Sequence, residues 1–184
     1  MPAVVPTGRA CGGFTLAEVL VALFVVALGI AGAAGVQAMA MRSGREAARI
    51  ADGVQLATSL AERMRANPVA MALADSANPY LQLDYDSAAG SPPEAEACFR
   101  DSNCNATALA NFDLMEVAHE LVLRFPGGRL LACRDAAMPD ASGLPSWTCD
   151  QQPGAPVVIK LGWREPGEAA ASPRVQLPVA VGGT

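Results

Sequence analysis

Between Val19 and Met41 the chain runs 23 residues without a charge, through Val, Leu, Ala, Ile, Phe, Gly and Met, with nothing more polar than Gln37. As a helix rising about 1.5 Å per residue, such a run crosses the roughly 30 Å hydrocarbon core of a bilayer. It predicts a transmembrane helix. A cleaved secretory signal has a shorter apolar core with a small-residue cut site behind it, whereas this run leads straight into more helix-compatible sequence. A lipoprotein signal at Cys11 fails because nothing hydrophobic precedes that cysteine. The 184 residues leave room for one ordinary domain plus an appendage. A hydrophobic share of 52% against 17% charged is the reverse of a disordered chain. With a net charge of -5 and a single lysine, Lys160, the chain lacks the clustered cations that track nucleic-acid phosphates.

The approach to the run is Gly12-Gly13-Phe14-Thr15-Leu16-Ala17-Glu18, which sets one carboxylate at the mouth of the uncharged span. An ionised group costs about 2.5–3.5 kcal/mol at the bilayer centre and less near the interface, so Glu18 needs either an interfacial position or a partner. The string from Gly13 to Gly29 resembles the class III signal of type IV pilins and pseudopilins, with cut site, Phe, Glu and apolar stretch in register. The resemblance implies cleavage of the Gly13–Phe14 bond by a prepilin peptidase on the cytoplasmic side and loss of a leader, residues 1–13. It also implies N-methylation of Phe14 as the new terminus and recognition of Glu18 during assembly. The freed amine and the carboxylate are opposite charges in low dielectric, and a neighbouring subunit can supply the partner of each. Arg42, Arg45 and Arg49 follow the span, and a positive-inside count alone places the C-terminal part in the cytoplasm. The peptidase signal and the cysteines require the opposite orientation, and they take precedence.

The apolar pattern continues past the membrane edge. Ile50, Val54, Ala57, Leu60, Ala61 and Met64 keep a three-four spacing until Asn67-Pro68 stops it. This predicts one helix over 16–66, about 75 Å long by its rise, divided into a membrane and assembly half (14–41) and an amphipathic half (42–67). Gly29, Gly32 and Gly35 permit close helix approach and weaken the helix locally.

Residues 68–184 read as one head. A poorly periodic stretch over 68–97, with one short helical turn, precedes a second amphipathic helix over 107–125, carried by Leu109, Phe112, Met115, Ala118, Val122 and Phe125 and closed by Pro126-Gly127-Gly128. Four strands are expected: Arg129–Arg134, Pro145–Cys149, the alternating 157–164, with Val158, Lys160, Gly162 and Arg164 on the second face, and a last strand through Val175 to Val181. Pro178 confines that last strand to an edge. The fold class is α+β: a long N-terminal helix on a small antiparallel sheet with a second short helix, which is the type IV pilin fold that the leader resemblance implies.

Past the leader an even four cysteines remain, Cys98, Cys104, Cys133 and Cys149, in the part assigned to the oxidising side. Neighbour pairing, Cys98–Cys104 and Cys133–Cys149, closes short loops and is one of three connectivities. A zinc site competes, without any C-x2-C pair to support it. No metal or cofactor is expected. His119 reads as a solvated helix-face residue, and Asp84-x-Asp86 and Glu94-x-Glu96 as surface loop, since both lack the glycine turn and distal glutamate of a calcium loop. Asn105-Ala106-Thr107 reads as a helix start rather than a glycosylation site. Nucleotide loops and nucleophile elbows are missing, so no enzymatic activity is expected.

Glu62-Arg63-Met64-Arg65-Ala66-Asn67-Pro68, Cys104 leading into Ala110-Asn111-Phe112-Asp113-Leu114, and Pro126-Gly127-Gly128 together look like the PilV-type minor pilins, the type IV pilus modification proteins. That resemblance implies a structural role in priming pilus assembly at the filament tip, with other minor pilins, the major pilin and a tip adhesin as partners. It implies residence in the inner membrane with a periplasmic head, then in the filament. Two alternatives are a GspI-like minor pseudopilin of type II secretion and an unprocessed bitopic anchor.

Overall fold

The computed structural model describes residues 13–99, 103–137, 143–164 and 173–182. It forms two compact units, Met1–Glu46 and Ala47–Thr184. Helix α1, Leu16–Ala66, is continuous through the boundary between them.

In the first unit α1 has the span that the uncharged run predicts, and it is long and apolar enough to cross a membrane. Its large apolar side chains from Leu16 to Met41 are exposed, so this stretch buries nothing within its own unit.

The second unit opens with the rest of α1. Met64 O accepts from Asn67 N, and the Asn67 carboxamide then caps the short helix α2, Pro68–Met71, by accepting from Ala70 N at 3.3 Å. One asparagine both stops α1 and starts α2, because the residue before proline leaves helical space while its side chain satisfies a free N–H. Two 3-10 turns, Asp75–Ala77 and Pro79–Gln82, lead to strand β1, Asp84–Asp86. Helix α3, Ala106–Arg124, is capped by Asn105, whose side chain accepts from Ala108 N at 2.8 Å. Strands β2, Arg129–Arg134, β3, Val157–Gly162, and β4, Leu177–Val181, follow. The sheet is wholly antiparallel in the order β1-β2-β3-β4, with Leu130 opposite Leu161 and Lys160 opposite Pro178. Pro178 lies on an edge strand, where its missing N–H breaks no ladder between inner strands.

The core joins Leu56, Ala57, Leu60 and Met64 of α1, Leu114, Val117 and Leu121 of α3, and Leu130, Ala132, Ile159 and Leu161 of the sheet. The α+β architecture is the expected one, with four corrections of detail. Pro145–Cys149 is not a strand: its polar groups are drawn sideways, Trp147 Nε1 donating to Pro173 O and Thr148 O accepting from Lys160, and no ladder partner is left to it. The fourth strand is instead β1, inside the stretch read as loop, where two aspartates in three residues mask the signal and only pairing with β2 defines it. The buried stripe of α1 holds Ala57, Leu60, Ala61 and Met64 as expected and departs from the expectation at its start. Gly53 and Leu56 are inside, while Ile50 and Val54 are 40% and 44% exposed. On α3, Phe112 and Ala118, with Phe125 just past its end, are buried as expected, Ala110, Leu114, Val117 and Leu121 are buried beside them, and Leu109 and Val122 are 37% and 45% exposed. On α1 an apolar periodicity count passes over Gly53, which has no side chain to register. A Cβ on Gly53 would stand 2.7 Å from Leu177 Cδ1 and 3.1 Å from Trp163.

Candidate functional site

The first candidate region is the start of α1. Gly13 and Phe14 precede the helix outside regular secondary structure, and with Phe14 87% exposed the Gly13–Phe14 bond is sterically open. Thr15 and Glu18 satisfy each other: Glu18 N donates to Thr15 Oγ1 at 3.3 Å, and Thr15 N and Oγ1 both donate to Glu18 Oε2, at 3.1 and 3.2 Å. This reciprocal capping box is what Thr-x-x-Glu produces at a helix start, and it sets the carboxylate at the positive end of the helix dipole. Beyond it, space is open around Gly29, Gly32 and Gly35, where an added Cβ meets nothing within 4 Å. That strip admits another helix at close range.

The head carries the second group. Cys98 is bonded to Cys104 and Cys133 to Cys149, with Cα atoms 5.8 and 6.3 Å apart. The first bridge lies just before α3, and the second starts from β2. Lys160 lies on the second face of β3, with Val158 and Gly162, and it is wholly buried. Its Nζ donates to Asp135 Oδ2 and to Thr148 O, two residues that fall between Cys133 and Cys149 in the chain. β3 is a central strand and both its faces are covered.

A further polar cluster fastens α1 to α3. Arg63 donates to Asp113 at 2.8 Å and Glu116 at 2.7 Å, Tyr80 Oη donates to Asp113 Oδ2 at 2.6 Å, and Asn67 Nδ2 donates to Ala106 O at 2.8 Å. Burial pushes the Tyr80 phenol well above its ordinary value, and the hydrogen bond to Asp113 adds to this. For Arg63, burial works against the cation, but the hydrogen bonds to Asp113 and Glu116 outweigh it and raise the pKa. Sequence reading missed both clusters. Their only local signals are a lone lysine in an apolar strand and an aspartate on the apolar face of a helix.

His119 is exposed on α3, as read. Asp84 and Asp86 belong to β1, and Glu94 and Glu96 are exposed. Among the described residues no three His, Cys, Asp or Glu side chains gather as a metal site. The leader residues Arg9 and Cys11 lie outside the described residues.

Comparison with known proteins places two adjoining matches on this frame. Residues 8–34 match the family model described as the prokaryotic N-terminal methylation motif, and residues 35–115 match the one described as type IV pilin Tt1218. No curated protein and no solved structure matches the chain.

Proposed function

We propose that this chain, a type IV pilin with a prepilin methylation motif and so a component of a pilus or pseudopilus, serves as a minor pilin of the PilV type. The motif implies processing by prepilin peptidase and assembly with other pilins. In the proposal the peptidase cuts between Gly13 and Phe14, Phe14 is N-methylated, and Glu18 is the carboxylate that a neighbouring subunit's amine meets. The functional divisions are leader 1–13, membrane and assembly helix 14–41, amphipathic helix 42–67 and periplasmic head 68–184. The subunit primes assembly with other minor pilins near the tip, beside the major pilin and a tip adhesin. It works by binding rather than by chemistry.

The observation that carries this reading is the register between motif and structure. One carboxylate, Glu18, stands at the start of an apolar helix that buries nothing in its own unit, directly after the exposed Gly13–Phe14 bond. A charge at that place is tolerable while it lies at the interface inside its capping box, and in a filament when an amine neutralises it.

Mass spectrometry of the membrane form tests the reading: a methylated N-terminus at Phe14 supports it, and a chain beginning at Met1 ends it. A deletion strain separates pilus from secretion. Loss of surface pili with normal protein export is expected; intact pili with failed export would reassign the chain to a pseudopilus.

A further inference from the structure

The sheet ends in two unlike edges. On the β4 side, Pro178 removes a backbone donor and discourages a further strand. The β1 side is open. Ala132 N donates to Leu83 O at 3.0 Å and Ser87 N to Gly128 O at 2.9 Å, so Leu83, Tyr85 and Ser87 turn their backbone groups toward β2. By the alternation of an antiparallel ladder, Asp84 and Asp86 turn theirs outward. The outward C=O of Asp86 closes a turn by accepting from Ala89 N, which leaves the Asp84 N–H, the Asp84 C=O and the Asp86 N–H along the edge.

Beside this edge lies a groove of about 530 Å³, floored by Pro79, Leu83, Tyr85 and Leu114 and walled by Pro93 and Asn111. Its surroundings are acidic. Arg129 holds the Asp84 carboxylate through Nε and Nη2, at 3.0 and 2.9 Å. Asp86 Oδ1 accepts from the Ala88 N–H at 2.9 Å, and Glu94 and Glu96, which follow Pro93 in the chain, are exposed.

We infer that the β1 edge and its groove form a docking site for an extended, basic segment of a different protein chain, which adds a strand outside β1 and seats an apolar side chain in the groove. Three outward-turned backbone groups give a strand its attachment, and the neighbouring pocket reads one side chain. Charge selects the partner. A second copy of this chain pairing through the same edge would set aspartate against aspartate, which cross-strand repulsion disfavours, whereas Lys or Arg at those positions meets Asp86, Glu94 and Glu96. This deepens the reading of the head as a surface presented to other subunits and rests on it.

The test uses the whole processed chain in detergent micelles and end-capped synthetic peptides: alternating Lys-Val-Lys-Val-Lys, its Glu-Val-Glu-Val-Glu counterpart, and the basic peptide with Pro at the centre. At saturation the basic peptide is expected to slow hydrogen exchange at the Asp84 and Asp86 amides at least tenfold, and the proline peptide to lose that effect. The combined variant Asp86→Asn, Glu94→Gln, Glu96→Gln is expected to bind at least fivefold more weakly at low salt, with a shallower salt dependence. Equal binding of the acidic peptide, protection along β4 instead of β1, or unchanged exchange at Asp84 and Asp86 would overturn the proposal. Because binding is read on purified protein, a negative result leaves the pilin reading standing, and an uncut N-terminus in cells sinks the pilin reading without touching this measurement.

Discussion

Lys160, the only lysine in the chain, donates from Nζ to Asp135 Oδ2 at 2.5 Å, with the two side chains 0% and 3% exposed. Thr148 O accepts a second hydrogen bond at 2.6 Å, and Asp135 Oδ1 takes the Ala137 N–H at 3.0 Å, so both charges are satisfied on the sheet face away from α1. The pair ties β3 to the segment that the Cys133–Cys149 bridge closes.

Removing one member of this pair is expected to cost far more than removing both. Lys160→Met strands a buried carboxylate, at about 3–5 kcal/mol, whereas Lys160→Met with Asp135→Asn leaves no buried charge and keeps an acceptor for Ala137 N. Denaturant unfolding of the full chain in detergent checks this. Equal losses in the single and double variants would show that the charges do not act as a pair.

The same burial makes Lys160 a reporter of the head. An amine-reactive reagent should leave Lys160 unmodified in the native oxidised chain and modify it after reduction, since Thr148, which caps the amine, adjoins Cys149. Peptide mapping reads the result, and rapid modification of Lys160 in the oxidised chain would contradict the closed environment.

Tyr80 predicts an alkaline limit. Its folded pKa lies above the ordinary value near 10, because burial and the bond to Asp113 favour the neutral phenol. The unfolded chain therefore loses this proton first. The contribution is complete below about pH 10 and disappears as pH rises from there through the folded value. Tyr80→Phe should lower stability by about 1.5–3 kcal/mol at pH 7, the worth of a hydrogen bond to a charged group, and should flatten the decline above pH 10. Melting curves from pH 8 upward check both; a parallel decline in the variant would assign the alkaline loss to other groups.

Gly53 lies where α1 packs tightly against side chains of the sheet in the head. Gly53→Val should destabilise by about 1–3 kcal/mol despite the better helix propensity of valine, because Leu177, Leu161 and Trp163 already occupy the space. An unchanged unfolding midpoint would mean that these side chains yield freely.

Glu18→Ala removes the carboxylate and half of the capping box while leaving the Gly13–Phe14 bond as it is. Cleavage should persist and incorporation into filaments should fall. Immunoblots of sheared pili measure it, and wild-type amounts of the variant would refute the role given to Glu18.

How far the sequence alone reached follows from which interactions are local. Both ends of α1, the limits of α3 within a residue, and strands β2 and β3 were legible, because caps, prolines and periodicity act over one or two turns of chain. Strand β1 was not: Asp84-Tyr85-Asp86 has no strand pattern of its own and exists through its hydrogen bonds to β2. The inward turn of Gly53 and Leu56 on α1 was equally hidden, since it depends on where Leu161, Trp163 and Leu177 come to rest. At the helix start the sequence was nearly sufficient, because Thr15 and Glu18 are three residues apart and need no other element to meet. Lys160 is the opposite case. Its fate depends on Asp135, 25 residues away, and on the fold that covers the second face of β3, so only the assembled tertiary structure decided that the chain's one lysine would be buried and paired.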